Sequence, residues 1–154
     1  MPKKVPATGH ESAAPGRLFV DSGAWIALVS ARDQHHAEAD EMFRRVVAQR
    51  VPLFTTNLVL AEVHRFLLFR AGPSPAARAL EQIESSERVT IVFATDAHHR
   101  AARAWLHRLS DHAISYTDAV SFSVIEAARC AAALSFDRDF EVAGFTLWRP
   151  THSP

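Results

Sequence analysis

The 154-residue chain is predicted to fold as an α/β domain around a parallel β-sheet. Three observations support this. Short apolar runs alternate with longer helical patterns, the signature of consecutive βαβ units. The runs are close to continuously apolar, as expected of strands covered on both faces. The composition, 48% hydrophobic and 22% charged, is that of a globular protein. A single domain of this size buries roughly two-thirds of its unfolded surface and needs no staple.

The elements follow in order. Residues 1–16, rich in Pro, Gly, Ala and Ser, are expected to be a flexible N-terminal tail; the domain spans 17–149, and 150–154 form a C-terminal tail. Arg17, Leu18, Phe19 and Val20 make a first strand running into Asp21, and a helix follows through Trp25, Ile26 and Leu28. Asp33 is placed to cap a second helix carrying Ala39, Met42, Phe43, Val46 and Val47. Residues 51–55 form the next strand, with Pro52 near its start, where a missing N–H is tolerated. Asn57 is the expected cap of a helix through Leu58, Glu62, Phe66 and Phe69 that stops near Ala71, Gly72 and Pro73. A helix over 75–85 and a β-branched strand over 89–93 come next. Thr95 caps a long helix with Ala101, Ala104, Trp105 and Leu109. Thr117 opens a helix reaching Ala128, residues 132–136 form a strand ending at Asp137, and residues 145–148 close the sheet at an edge. This pattern does not determine strand order.

Composition also excludes function classes. The only cysteine is Cys130, so an intrachain disulfide is impossible, and its Ala-rich surroundings suit a small buried hydrophobe. The N-terminus has Lys3 and Lys4 but no apolar stretch of a secretory signal, and no apolar run approaches the ~20 residues of a membrane span. A cytoplasmic protein is expected. Seventeen basic residues balance seventeen acidic ones, which argues against nonspecific coating of nucleic acid. Beyond Lys3 and Lys4 every basic residue is Arg, the side chain suited to bidentate phosphate contacts.

In open parallel α/β sheets, ligands bind beyond the carboxyl ends of the strands. Asp21 follows the first strand directly, Asp137 follows the strand ending at Phe136, and Asp139 lies two residues on. Glu62 and Asp118 lie on helices that start near the same edge. Each alone has an ordinary explanation. Asp21 and Asp118 suit helix N-termini, and Arg65 is placed to pair with Glu62 among its apolar neighbours. Together they crowd like charges on one edge, and a hard cation with oxygen ligands keeps such a group ionised. Mg²⁺ or Mn²⁺ fits that donor set.

Four segments carry a resemblance to a known family: Val20-Asp21-Ser22-Gly23-Ala24; Thr55 and Thr56 through Glu62; Tyr116-Thr117-Asp118 through Phe122; and Ser135-Phe136-Asp137-Arg138-Asp139-Phe140. In this order and spacing the chain resembles a PIN domain, in particular the VapC-type toxin ribonucleases of type II toxin–antitoxin systems. The resemblance implies a three-layer αβα PIN-like domain with a central parallel sheet, Mg²⁺- or Mn²⁺-dependent endoribonuclease activity on RNA, and inhibition by a cognate antitoxin. It implies catalytic and metal-binding roles for Asp21, Glu62, Asp118 and Asp137, with Asp139 competing for the fourth position. Ser22 and Thr117 stand where family hydroxyls support the metal site. Hydrolysis of this type leaves a 5′-phosphate and a 3′-hydroxyl.

Other readings fare worse. A phosphoacceptor receiver domain needs a lysine late in the fold, and the lysines here are Lys3 and Lys4. A haloacid-dehalogenase-type phosphatase needs a second Asp two residues after the first, where this chain has Gly23. His35 with His36 and His98 with His99 are adjacent pairs whose side chains diverge on a helix, so a zinc site is not supported. Arg100, Arg103 and Arg108 read first as a solvated helix face and second as part of an RNA-contacting face. Apolar excess at Phe66, Leu67, Phe69 and the Phe43 helix hints at a homodimer or antitoxin surface. The remaining alternative is a non-catalytic PIN-like module that binds RNA or protein.

Overall fold

Five short strands organise the residues that the computed structural model describes, 16–130 and 132–151. Of the two predicted tails, residues 1–15 and 152–154 lie outside them. The strands are β1 (Leu18–Val20), β2 (Leu53–Thr56), β3 (Val89–Val92), β4 (Ala132–Leu134) and β5 (Thr146–Leu147), all parallel, in the order β3-β2-β1-β4-β5. Between them run α1 (Ser22–Val29), α2 (His36–Ala48), α3 (Asn57–Ala71), α4 (Pro73–Glu84), α5 (Asp96–Arg108), α6 (Tyr116–Ala127) and α7 (Asp139–Val142). The chain winds from β1 outward to β3, then returns to lay β4 on the other side of β1. That reversal creates a topological switch point between β1 and β4, where such sheets open a crevice at their carboxyl edge.

Strand alternation divides the core into two layers. Phe19 of β1 lies in register with Phe54 of β2, their rings 5.4 Å apart, and Phe19 also meets Phe140 of α7 at 6.1 Å. Phe122 of α6 packs edge-on against Phe140 at 5.1 Å and Trp105 of α5 at 5.5 Å. The opposite layer joins Trp25 of α1 to Phe43 of α2 at 5.1 Å. Helix α6 is buried along its whole middle, from Ala119 through Ile125, which is why its sequence reads apolar on every side. Truncating Phe122 to Ala is expected to cost about 3–5 kcal/mol.

The α/β expectation is met, and the differences lie at element ends. Helix α2 starts at His36, not at an Asp33 cap; the Asp33 carboxylate accepts the His35 N–H at 2.8 Å in a turn ahead of the helix. Thr56, not Asn57, caps α3, accepting the Val59 N–H at 3.1 Å. Asn57 is the first helical residue, and its side-chain oxygen accepts the Ala94 N–H at 2.9 Å, tying the end of β3 to α3. Helix α6 opens at Tyr116, one residue before Thr117, with Ser115 as its cap. Gly72 has φ +97°, a conformation that only Gly adopts freely, and with Pro73 as the first residue of α4 it turns the chain from α3 into α4. Cys130 is half-buried, its thiol directed at the Arg17 carbonyl at 3.4 Å. Among the described residues no helix is long and apolar enough to cross a membrane.

Candidate active site

Asp21 is set by the end of β1. Its N–H continues the sheet by donating to the Leu134 carbonyl at 3.0 Å, and its extended backbone (φ −84°, ψ 163°) places it in the cap position of α1. Yet its carboxylate makes no capping bond. One oxygen, Oδ2, accepts the Ser135 hydroxyl at 3.0 Å; the other, Oδ1, is buried and has no hydrogen-bond partner. The residue is only 4% exposed. A buried carboxylate oxygen without a partner is costly, so the fold holds Asp21 for something other than its own stability.

Glu62 comes from the second turn of α3, whose core-facing side is Val59, Leu60, Val63 and Leu67. The Ser22 hydroxyl donates to its Oε2 at 2.9 Å. Arg65 does not pair with it; its guanidinium lies 5.5 Å from the ring centre of Phe69. Asp118 occupies the third position of α6. The Ser115 hydroxyl both accepts the Asp118 N–H at 3.0 Å and donates to its Oδ2 at 2.6 Å, locking the carboxylate against the helix start. Asp137 follows β4, with its N–H on the Ser135 hydroxyl at 3.0 Å, and its Oδ1 accepts the Asp139 N–H at 2.9 Å. One carboxylate oxygen from each of Asp118, Asp137 and Asp139 falls within 4.8 Å of the others.

Electrostatics joins the acids into one group. Burial, then the charge of Asp118 and, more weakly, Glu62, pushes the Asp21 carboxyl from 3.8 up to about 7, opposed by the Ser135 hydroxyl and by the adjacent Ser22 N–H, which lies nearby without hydrogen-bond geometry. Asp118 is raised by burial and by Asp137 and Glu62, with the Ser115 hydroxyl opposing. Asp139 is raised by desolvation and by Asp137, and His112 opposes that rise. The charges thus form a chain at the carboxyl edge of β1 and β4, Asp21 and Glu62 joined to Asp118, Asp118 to Asp137, and Asp137 to Asp139. The donors are all hard oxygens, and the orphaned Asp21 Oδ1 offers a lone pair that the protein leaves unused. A divalent oxygen-seeking cation fits this set.

Of the acids singled out from the sequence, Asp118, Asp137 and Asp139 bring carboxylate oxygens together, while Asp21 and Glu62 join through their charge on Asp118. Ser22 supports Glu62. The Thr117 hydroxyl makes no hydrogen bond to a carboxylate among the described residues; Ser115 makes that contact instead. Ser115 was signalled by the Ser-x-x-Asp spacing that ends at Asp118, a capping pattern. The Ser135 contact with Asp21 and the effect of His112 on Asp139 had no comparable signal, since both arise through the tertiary fold.

Sheet topology and acid cluster together define a class: a parallel αβα domain with a carboxylate site at its switch point. The chain belongs to the PIN-domain family, whose model matches residues 18–146. It is 36% identical over 134 residues to the 23S rRNA-specific endonuclease VapC20 of Mycobacterium tuberculosis, covering 86% of this chain and 98% of that protein. A VapC ribonuclease of Archaeoglobus fulgidus is 27% identical over 135 residues, covering 85% of each. Among solved structures, the M. tuberculosis VapC20, described as a sarcin-ricin loop cleaving toxin, superposes with a TM-score of 0.77 at 34% identity over 86% of this chain and 99% of that one. The VapBC2 complex of Rickettsia felis has a TM-score of 0.63 at 13% identity over 84% and 95%, a likeness of fold alone.

Proposed function

We propose that this chain is a metal-dependent endoribonuclease that hydrolyses RNA phosphodiester bonds, and that it is the toxin of a VapBC-type pair. The observation that carries the proposal is the buried Asp21 carboxylate, within the influence of Asp118 and Glu62 and with one oxygen unpartnered. The 36% identity to a ribosomal-RNA endonuclease supports the same reading and suggests structured ribosomal RNA as the substrate class.

Asp21, Glu62, Asp118 and Asp137 are the residues that would hold Mg²⁺ or Mn²⁺, with Asp139 beside Asp137. When bound, such a cation lowers the pKa of water and neutralises charge building on phosphate oxygens. The protein's own groups prepare the site. Ser22 orients Glu62, Ser135 orients Asp21, and Ser115 fixes Asp118, so the carboxylates are held before any ligand arrives. Asp21, with its carboxyl near 7, must lose a proton before it can serve as a ligand, so cation binding strengthens as pH rises through neutrality.

As a toxin the protein would work in the cytoplasm and be restrained by a cognate antitoxin. Phe69 is 76% exposed and Phe66 is also exposed, so α3 offers an apolar surface for a homodimer or antitoxin; Leu67 and Phe43, which suggested the same from sequence, are core residues. The competing reading, a non-catalytic PIN-like binding module, would require an incomplete acid set.

Cleavage of a structured RNA panel, including a sarcin–ricin loop hairpin, separates the two. Wild type with Mn²⁺ or Mg²⁺ is expected to cut, and EDTA or Asp118→Asn to abolish cutting. Folded, inhibitor-free wild type that cuts nothing with either metal would leave the binding module as the better account.

A further inference from the structure

Arg149 stands just beyond β5, far in sequence from every acid of the site except those of the β4–α7 loop, and makes no ion pair with any of the five. Each of its three guanidinium nitrogens nonetheless has a partner. Nη2 donates to the Ser135 carbonyl at 3.0 Å, Nη1 to the Trp148 carbonyl at 2.8 Å, and Nε pairs with Glu38 at 2.9 Å. The same group lies 5.3 Å from the ring centre of Phe136. Phe136 is also stacked on His35, centroids 4.2 Å apart and planes 8° from parallel. The residues so gripped, Ser135 and Phe136, immediately precede Asp137, and the Ser135 hydroxyl is the one that meets both Asp21 and the Asp137 N–H.

We propose that Arg149 is a positioning residue for the acidic site: by holding the Ser135 carbonyl and the Phe136 ring, it fixes the loop that presents Asp137, Asp139 and the Ser135 hydroxyl. The proposal rests on the metal-site reading above. The Glu38 ion pair is not the reason for the residue, because both partners are more than a third exposed and such pairs contribute little. The specific element is the planar fork, which reaches two carbonyls and a carboxylate at once while lying on a ring. Lysine has one compact charge and cannot do all of these together.

The test is Mn²⁺ affinity of RNA-free protein, by calorimetry, with amide exchange at Asp137 and Asp139 as a second readout. Arg149→Ala is expected to weaken Mn²⁺ binding about tenfold or more, the usual effect of losing an outer partner of a ligand. It should also speed exchange at both amides. Arg149→Lys is expected to remain clearly weaker than wild type, whereas Glu38→Gln, which removes the ion pair and leaves the fork, stays within about twofold. If Arg149→Ala does not fold, Arg149→Lys and Glu38→Gln carry the comparison. Wild-type affinity and exchange in Arg149→Lys, or equal losses in Glu38→Gln and the Arg149 variants, would overturn the proposal. Failure of wild type itself to bind Mn²⁺ would count against the metal site, and unchanged exchange in the Arg149 variants would then refute the positioning role on its own.

Discussion

At the carboxyl ends of β2 and β3, polar side chains have structural tasks. Thr55 donates to the Val20 carbonyl at 2.8 Å, Thr56 caps α3, Asn57 accepts the Ala94 N–H, and Thr95 forms a capping box with His98 at the start of α5. The ends of β1 and β4 occupy the same position in the fold and carry similar short polar residues. There Asp21 sits in a cap position and caps nothing, one oxygen is orphaned, and burial together with neighbouring acids raises its pKa. The difference separates two uses of one location. Where the backbone takes up the side chain's hydrogen-bonding capacity, the residue stabilises the fold; where that capacity is left open at a cost, the residue is the one we propose to be held for a ligand.

Asp21→Asn sharpens the contrast most. RNA cleavage should fall about a thousandfold or more, as expected when several kcal/mol of electrostatic stabilisation is removed. The stability effect should have the opposite sign. Asp21 has a folded pKa near 7 against 3.8 for the ordinary group, so its contribution to stability is present below about pH 4 and is lost as pH rises to 7. For metal-free wild type that loss is on the order of 4 kcal/mol, and the Asn variant lacks it. Urea unfolding in EDTA at pH 5 and pH 8 measures the difference; an equal pH slope in the two proteins would remove Asp21 from the open class.

Ser135→Ala tests the link between the acids. It removes the one hydrogen bond to the Asp21 carboxylate and the acceptor for the Asp137 N–H. Mn²⁺ affinity is expected to drop about 10- to 100-fold. Folding stability should fall by roughly 1–3 kcal/mol, since buried polar groups lose their partner. Retained affinity in a folded variant would show that the carboxylates hold their places unaided.

How much of this was legible beforehand follows from the range of each interaction. Asp21 and Asp137 were visible because each ends an apolar run, and Glu62 because a charge interrupts an apolar helix. What sequence left open was whether Asp21 caps α1, since a capping and a non-capping Asp read alike until the carboxylate's partners are known. Helix starts were misplaced by small steps, a cap at Asn57 for Thr56 and an opening at Thr117 for Tyr116, because a helix start depends on the backbone angles of a single residue. Strand order, the Ser135 contact with Asp21 across 114 positions and the Arg149 grip were out of reach, being set by packing between distant segments.

Thr56→Ala is the smallest effect and the other half of the contrast. Thr56 is fully buried, and its hydroxyl accepts the Val59 N–H at 3.1 Å. Losing that cap is expected to cost about 0.5–2 kcal/mol. Thr56→Ser keeps the oxygen and should recover most of it. Neither change removes a charge or a contact from the acid group, so RNA cleavage by the folded fraction should stay within about twofold of wild type, a factor equivalent to less than 0.5 kcal/mol. The informative failure is a Thr56→Ala protein that is folded, stable and inactive. Glu62 lies six residues along the same helix, and such a result would mean that the cap sets the position of α3 finely enough to govern the site. Stabilising and ligand-holding residues would then no longer be separable by their hydrogen bonds at this edge.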